Sequence, residues 1–171
     1  MITRATSQKE ILSLAPACKC SACSHGCSMG SGFLADADVQ PMAAFLKVSE
    51  EELKKKHLEE VELFHLQKFR PKLIRADNKP YGVCSFFVEG KCSVHVVKPL
   101  HCKISMSCKE YGEKLNLWFL LNHMIDVDDA ESVRQYASYL KSGGKTIAGG
   151  ALEELVPDAE KLKKILSYEV L

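Results

Sequence analysis

The chain has 171 residues, 46% of them apolar, which is enough for an ordinary hydrophobic core in one domain without staples. Its 23 Lys and Arg are balanced by 22 Asp and Glu and no long one-sign run occurs, which excludes the basic footprint of a duplex nucleic-acid binder. Eight cysteines are the compositional feature left to explain.

The opening "MITRATSQKEILSLAP" mixes charges with apolar residues and lacks the apolar stretch of a signal peptide, so secretion is not expected. Residues 4–14 read as a short amphipathic helix stopped by Pro16, with Ile11, Leu12 and Leu14 on its apolar side. Ser, Gly and Cys dominate residues 18–32, a composition that predicts a loop wrapped around something. From Ala35, "ADADVQPMAAFLKVSEEELKKKHLEEVELF" reads as two helices. The first runs from Asp36 or Asp38 to about Leu46. The second is announced by a capping box of Ser49 and Glu52, with Leu53, His57, Leu58 and Val61 along one side.

Between residues 67 and 107, Pro71, Pro80, Pro99 and several glycines predict loops and a small hairpin turning at Glu89-Gly90. The longest apolar run, "LNLWFLLNHMI" from Leu115 to Ile125, is too short to span a bilayer. Helical signals return in "DDAESVRQYASYLKSGG", ended by Gly143 and Gly144, and in "PDAEKLKKILSYEVL", opened by Pro157 and Asp158. Asp126, Asp128 and Asp129 fit a helix start. "SGGKT", Ser142 to Thr146, has Tyr139 where a phosphate-binding loop needs its first glycine, and it follows a helix, so it reads as a helix terminator. The expected fold is mainly α with a small β-hairpin and loop region, as a single metal-centred domain over residues 1–171. Residues 18–108 form its cysteine-cluster core and 109–171 a C-terminal helical extension.

The cysteines fall into two groups, Cys18, Cys20, Cys23 and Cys27, then Cys84, Cys92, Cys102 and Cys108. With neither a signal peptide nor a spanning helix expected, the compartment is read as cytoplasmic, where thiols stay reduced and clustered cysteines point to metal or redox chemistry before disulfides. A turn brings thiolates at i and i+3 together, as in Cys20-x2-Cys23, and a distant second group completes the shell. Zinc and a cubane iron–sulfur cluster each take four ligands, so eight thiols suffice for two sites or for one with spares.

"CSACSHGC", then Cys84-Ser85-Phe86-Phe87, Cys92-Ser93-Val94-His95 and Lys98-Pro99-Leu100-His101-Cys102-Lys103, resemble in order the motifs of the zinc- or iron-chelating cysteine-cluster (CxxCxxCC) domain family. The resemblance covers roughly residues 18–105. It implies that Cys20, Cys23 and Cys27 are ligands together with Cys84, Cys92 and Cys102. Gly26 stands where the family has its third clustered cysteine, His95 replaces a tyrosine and Lys98 an arginine. Cys18 and Cys108 are additions, either of which could supply the thiolate that Gly26 lacks.

The metal is open between zinc and an iron–sulfur cluster of the four-iron, four-sulfur kind. The nearly all-cysteine ligand set and the surplus of thiols favour the cluster. The functional expectation is therefore a metal-binding protein, an electron-transfer or sensing module, with a protein partner conceivable and no nucleic acid or membrane. The alternative is a zinc-stabilised interaction domain. A thiol-exchange enzyme using Cys20 and Cys23 is a third reading, which requires metal-free, accessible thiols of depressed pKa. No catalytic triad, carboxylate pair or H-E-x-x-H motif is visible. His25 and His101 are secondary ligand candidates, whereas His57, His65 and His123 read as partly buried or surface residues. Lys98 reads as a surface lysine unless it sits beside the thiolates, and one of Phe86 and Phe87 is expected to cover the site.

Overall fold

The computed structural model describes residues 1–15, 21–105 and 110–169, with the backbone alone at 21–23. Ser7 and Glu10 open the first helix, α1 (Gln8–Leu14), by a reciprocal box. The Ser7 hydroxyl accepts the Glu10 N–H and the Glu10 carboxylate accepts the Ser7 N–H. This helix therefore starts later than the expected residue 4, and Thr3 instead bridges Ala148. Ile11 is fully buried, with Leu12 and Leu14 packed beside it.

Residues 21–29 correct the expectation of a loop: they form α2 (Ser21–Met29). No proline or β-branched residue interrupts "SACSHGCSM", and the helix lies against a later strand, so packing overrides a weak local preference. Gly30 closes it, donating its N–H to the Gly26 carbonyl. A 3₁₀ turn (Asp36–Asp38) then leads into α3 (Val39–Leu46), and α4 (Glu50–His57) follows. The Ser49 hydroxyl accepts the Glu52 N–H, and glutamates in the first turn and lysines in the last complement the helix dipole.

The second expected helix ends at His57. Beyond it, β1 (Leu58–Leu63) pairs antiparallel with β2 (Leu66–Pro71), Leu58 opposite Pro71 and Leu63 opposite Leu66. "LEEVEL" satisfies a helical spacing through Leu58 and Val61, but it also alternates, and pairing with β2 decides between the two. The connecting residues Phe64 and His65 both have left-handed φ, 48° and 63°, the backbone of a two-residue hairpin turn. Two smaller antiparallel pairs follow: β3 (Leu73–Ile74) with β4 (Val83–Cys84), and β5 (Phe87–Val88) with β6 (Lys91–Cys92). The last pair turns at Glu89-Gly90, as expected, with φ of 48° and 75°.

After a second 3₁₀ turn (His95–Val97) come α5 (Leu100–Ile104), α6 (Gly112–His123), α7 (Ala130–Lys141), α8 (Leu152–Leu155) and α9 (Ala159–Leu166). Asp129 and Asp158 cap α7 and α9 through their carboxylates. Gly143, at φ 90°, and Gly144 end α7 through N–H bonds to Leu140 and Tyr139, so "SGGKT" is a terminator as read. The fold class is mainly α with small hairpins, and no helix among the described residues is long and apolar enough to cross a membrane.

Two hydrophobic clusters organise these elements. The larger surrounds α6, whose Leu115, Leu117, Trp118, Phe119 and Leu121 are buried around most of the helix, and it takes in α1, α5, α7 and α9. The smaller joins Met42, Leu53, Leu58, Cys84, Phe86 and Val94. The β1–β2 hairpin belongs to both, since Leu58 and Phe69 pack in the smaller cluster while Phe64, at the tip, packs edge-on against Tyr136 and Tyr139.

Candidate metal centre

Four cysteines from four separate elements line one cavity of about 340 Å³: Cys27 of α2, Cys84 of β4, Cys92 of β6 and Cys102 of α5. All four are free thiols. Cys84 is buried in the smaller cluster, and Cys102 lies between Leu100 and Ile104 of the larger one, so the cavity occupies the seam between them. Local structure aims each element at that seam. The β5–β6 turn returns Cys92 to a position opposite Phe87, and β3 holds Cys84 opposite Leu73. The start of α5 is fixed by Asp38, both of whose carboxylate oxygens accept the Leu100 N–H, at 3.0 and 3.1 Å, while one also accepts that of Ala35.

The sulfurs receive backbone donors. The N–H groups of Phe86 and Phe87 point to Cys84, and the N–H of Gly32 points to Cys102. Burial nevertheless dominates: it pushes the Cys84 thiol up to about 11 and the Cys102 thiol up to about 12, with neighbouring thiols adding to the rise. Cys27 is raised for the same reason, with Cys92 adding to the rise and Lys98 opposing it. Lys98 thus stands beside the thiols rather than on a remote surface. A raised thiol is the opposite of a thiol-exchange nucleophile, but the thiols of that reading, Cys20 and Cys23, are not among these three.

Phe86 is buried on the cavity wall and stacks on His57, while Phe87 is half-buried, as expected of the pair. His25 is exposed on α2, and His95 is exposed as well. His101 lines the cavity, but its ring nitrogens are engaged: Nδ1 accepts the Phe33 N–H at 3.1 Å and the ring also bonds the Asn116 side chain. Its ring stacks with those of Phe119 and Phe33, and burial lowers it to about 4, so it is neutral. Its Nδ1 is thus committed to the backbone of Phe33, which favours a scaffolding role for His101 over that of a ligand. His57 and His123 are half-buried and His65 is exposed, bonding Asp129 at 2.6 Å.

Cys18, Cys20 and Cys108 lie outside the described residues, as does the side chain of Cys23, whose backbone is one helical turn before Cys27. The i, i+3 turn expected for Cys20 and Cys23 therefore lies outside them in part. Among the described residues, no three Cys, His, Asp or Glu side chains are gathered closely enough to hold an ion as they stand. In kind the donor set fits a soft, thiolate-bound centre: four sulfurs face one space, two of them with N–H donors already in place. A larger groove of about 490 Å³ between α8 and α9, walled by Val156, Leu162 and Leu166, has no cysteine or histidine on it. Compared with protein-family models, with characterised proteins and with solved structures, the chain matches none.

Proposed function

We propose that this chain is a metal-binding protein that holds an iron–sulfur cluster through clustered cysteine thiolates, as an electron-transfer or sensing module of the reducing cytoplasm. The observation that carries the reading is the convergence of Cys27, Cys84, Cys92 and Cys102 on one cavity although up to 75 residues separate them in the chain. Chance burial of four thiols would scatter them over both cores. The family resemblance makes Cys20 and Cys23 ligands as well, from which a ligand can be exchanged or a second site built, and leaves Cys18 and Cys108 as spare thiols. The resemblance of the motif order to that of the cysteine-cluster family is in keeping with the same reading, although no family model matches the chain.

A cavity of about 340 Å³ suits a polynuclear core better than one tetrahedral zinc, whose thiolates stand about 2.3 Å from the ion. A bound cluster would supply one-electron exchange. The chain's own residues would set its surroundings: Phe86 excludes water, Lys98 offsets negative charge, and the N–H groups of Gly32, Phe86 and Phe87 bond the sulfurs.

Elemental analysis of protein purified without oxygen, together with its visible absorption, tests this. Iron with matching sulfide and a brown colour is the expected result. Zinc without colour would replace it with a structural, partner-binding domain, and protein with neither metal would overturn the metal reading.

A further inference from the structure

His101 lines the cavity, and its surroundings are unusually constrained. Its ring lies nearly parallel to Phe119, at 4.3 Å between centroids and 9° between planes, and to Phe33, at 5.7 Å and 7°. Its Nδ1 accepts the N–H of Phe33, a residue 68 positions earlier, and the Asn116 side chain bonds the ring from α6. The bond to Phe33 fixes the chain immediately after Gly32. Gly32 is the residue whose backbone lies on Cys102: a methyl group built there would come 2.7 Å from the Cys102 Sγ and 3.0 Å from its N. The Gly32 N–H is also the donor to that sulfur.

We infer that His101 is a positioning residue of the centre, which by accepting the Phe33 N–H holds Gly32 against Cys102 so that the Gly32 N–H bonds the sulfur. This rests on the metal-centre reading above. Hydrogen bonds to a ligating sulfur govern how tightly and at what potential a thiolate site holds its metal, and loss of such outer partners costs roughly 10–100-fold in affinity.

Two substitutions separate positioning from packing. His101→Phe keeps an aromatic ring beside Phe33 and Phe119 but has no acceptor. His101→Asn loses the ring yet places an amide oxygen near the position of Nδ1. Positioning predicts that His101→Phe weakens metal binding about 10–100-fold in competition with a chelator and that His101→Asn largely retains it. A packing role predicts the reverse order and would overturn the inference, as would equal losses in both. Amide exchange at Gly32 and Phe33 in metal-free protein is the second readout. Protection lost in His101→Phe and kept in His101→Asn upholds the inference, and protection unchanged in both overturns it. Because this readout needs no metal, a wild-type protein that binds none would defeat the metal reading while the exchange result still decides the role of His101. Gly32→Ala, which leaves His101 intact, is expected to reproduce the affinity loss of His101→Phe.

Discussion

Under the proposed metal reading, the thiols of Cys27, Cys84 and Cys102 must each lose a proton to become ligands. Burial raises Cys27, Cys84 and Cys102, so at neutral pH binding releases protons and affinity climbs as pH rises toward the thiol range. Calorimetric metal titrations in buffers of different ionisation enthalpy should report that release, and a proton count of zero would contradict ligation by these thiols. Cys92→Ala should abolish or greatly reduce metal content, as should Cys23→Ala, whereas Cys108→Ala should leave it near the wild-type level; elemental analysis of the three variants checks the assignment. The role of these residues was legible unevenly. Clustered spacing made Cys27 a candidate, and motif order did the same for Cys84, Cys92 and Cys102. Nothing local distinguishes His101 from His25. A positioning role for His101 is suggested by its bond to Phe33 and its contact with Asn116, both of which arise from tertiary packing.

Caps and turns decide where the elements stop, and they carry measurable stability. Ser49→Ala removes the acceptor for the Glu52 N–H at the start of α4 and should cost about 1 kcal/mol in a denaturant titration. A change below a few tenths would mean that the cap is solvated. At the hairpin tip, His65 bonds Asp129 across 64 residues and tethers β1–β2 to the start of α7. Its partner Asp129 raises His65, and His65 in turn lowers Asp129. The stabilisation from the histidine is present below its unfolded value and is lost as pH rises through the folded one. That from Asp129 is lost as pH falls through its depressed value, so the tether is strongest in mild acid. The α4 start and the Glu89-Gly90 turn were readable because a Ser-x-x-Glu pair and a glycine announce them. Phe64-His65 was not, since an aromatic residue and a histidine are unusual in left-handed turn positions and are held there by the Phe64 ring packing on Tyr136.

Across the molecule, the four-cysteine cavity lies between two hydrophobic clusters that are also joined by the β1–β2 hairpin and the Asp38 bonds to Ala35 and Leu100, so a metal held there would tie them together. Removing the metal should therefore loosen the smaller cluster first. Hydrogen exchange is expected to accelerate around Cys84 to Val97 while α6 and α7 stay protected, and uniform acceleration would argue that the two clusters unfold together. Acid adds a second route to loosening. Glu59, held between Arg75 and Arg70, is lowered to about 2, chiefly by its bond to Arg75. A depressed carboxylate contributes stability above its unfolded value of 4.5 and loses it as pH falls toward 2, so Glu59→Gln should flatten the acid limb of a stability–pH curve over that window.

Composition and motif spacing by themselves determined the thiol-rich character of the chain, its mainly helical class, the end of α7, the start of α9 and the small hairpin at Glu89-Gly90. These follow from signals a few residues long: caps, glycines, and side-chain periodicity. The tertiary structure decided that residues 21–29 are helical, that residues 58–71 are a hairpin, and that Cys27, Cys84, Cys92 and Cys102 face one space. Each of these depends on contacts between segments tens of residues apart, where competing local preferences are nearly equal and packing tips the balance.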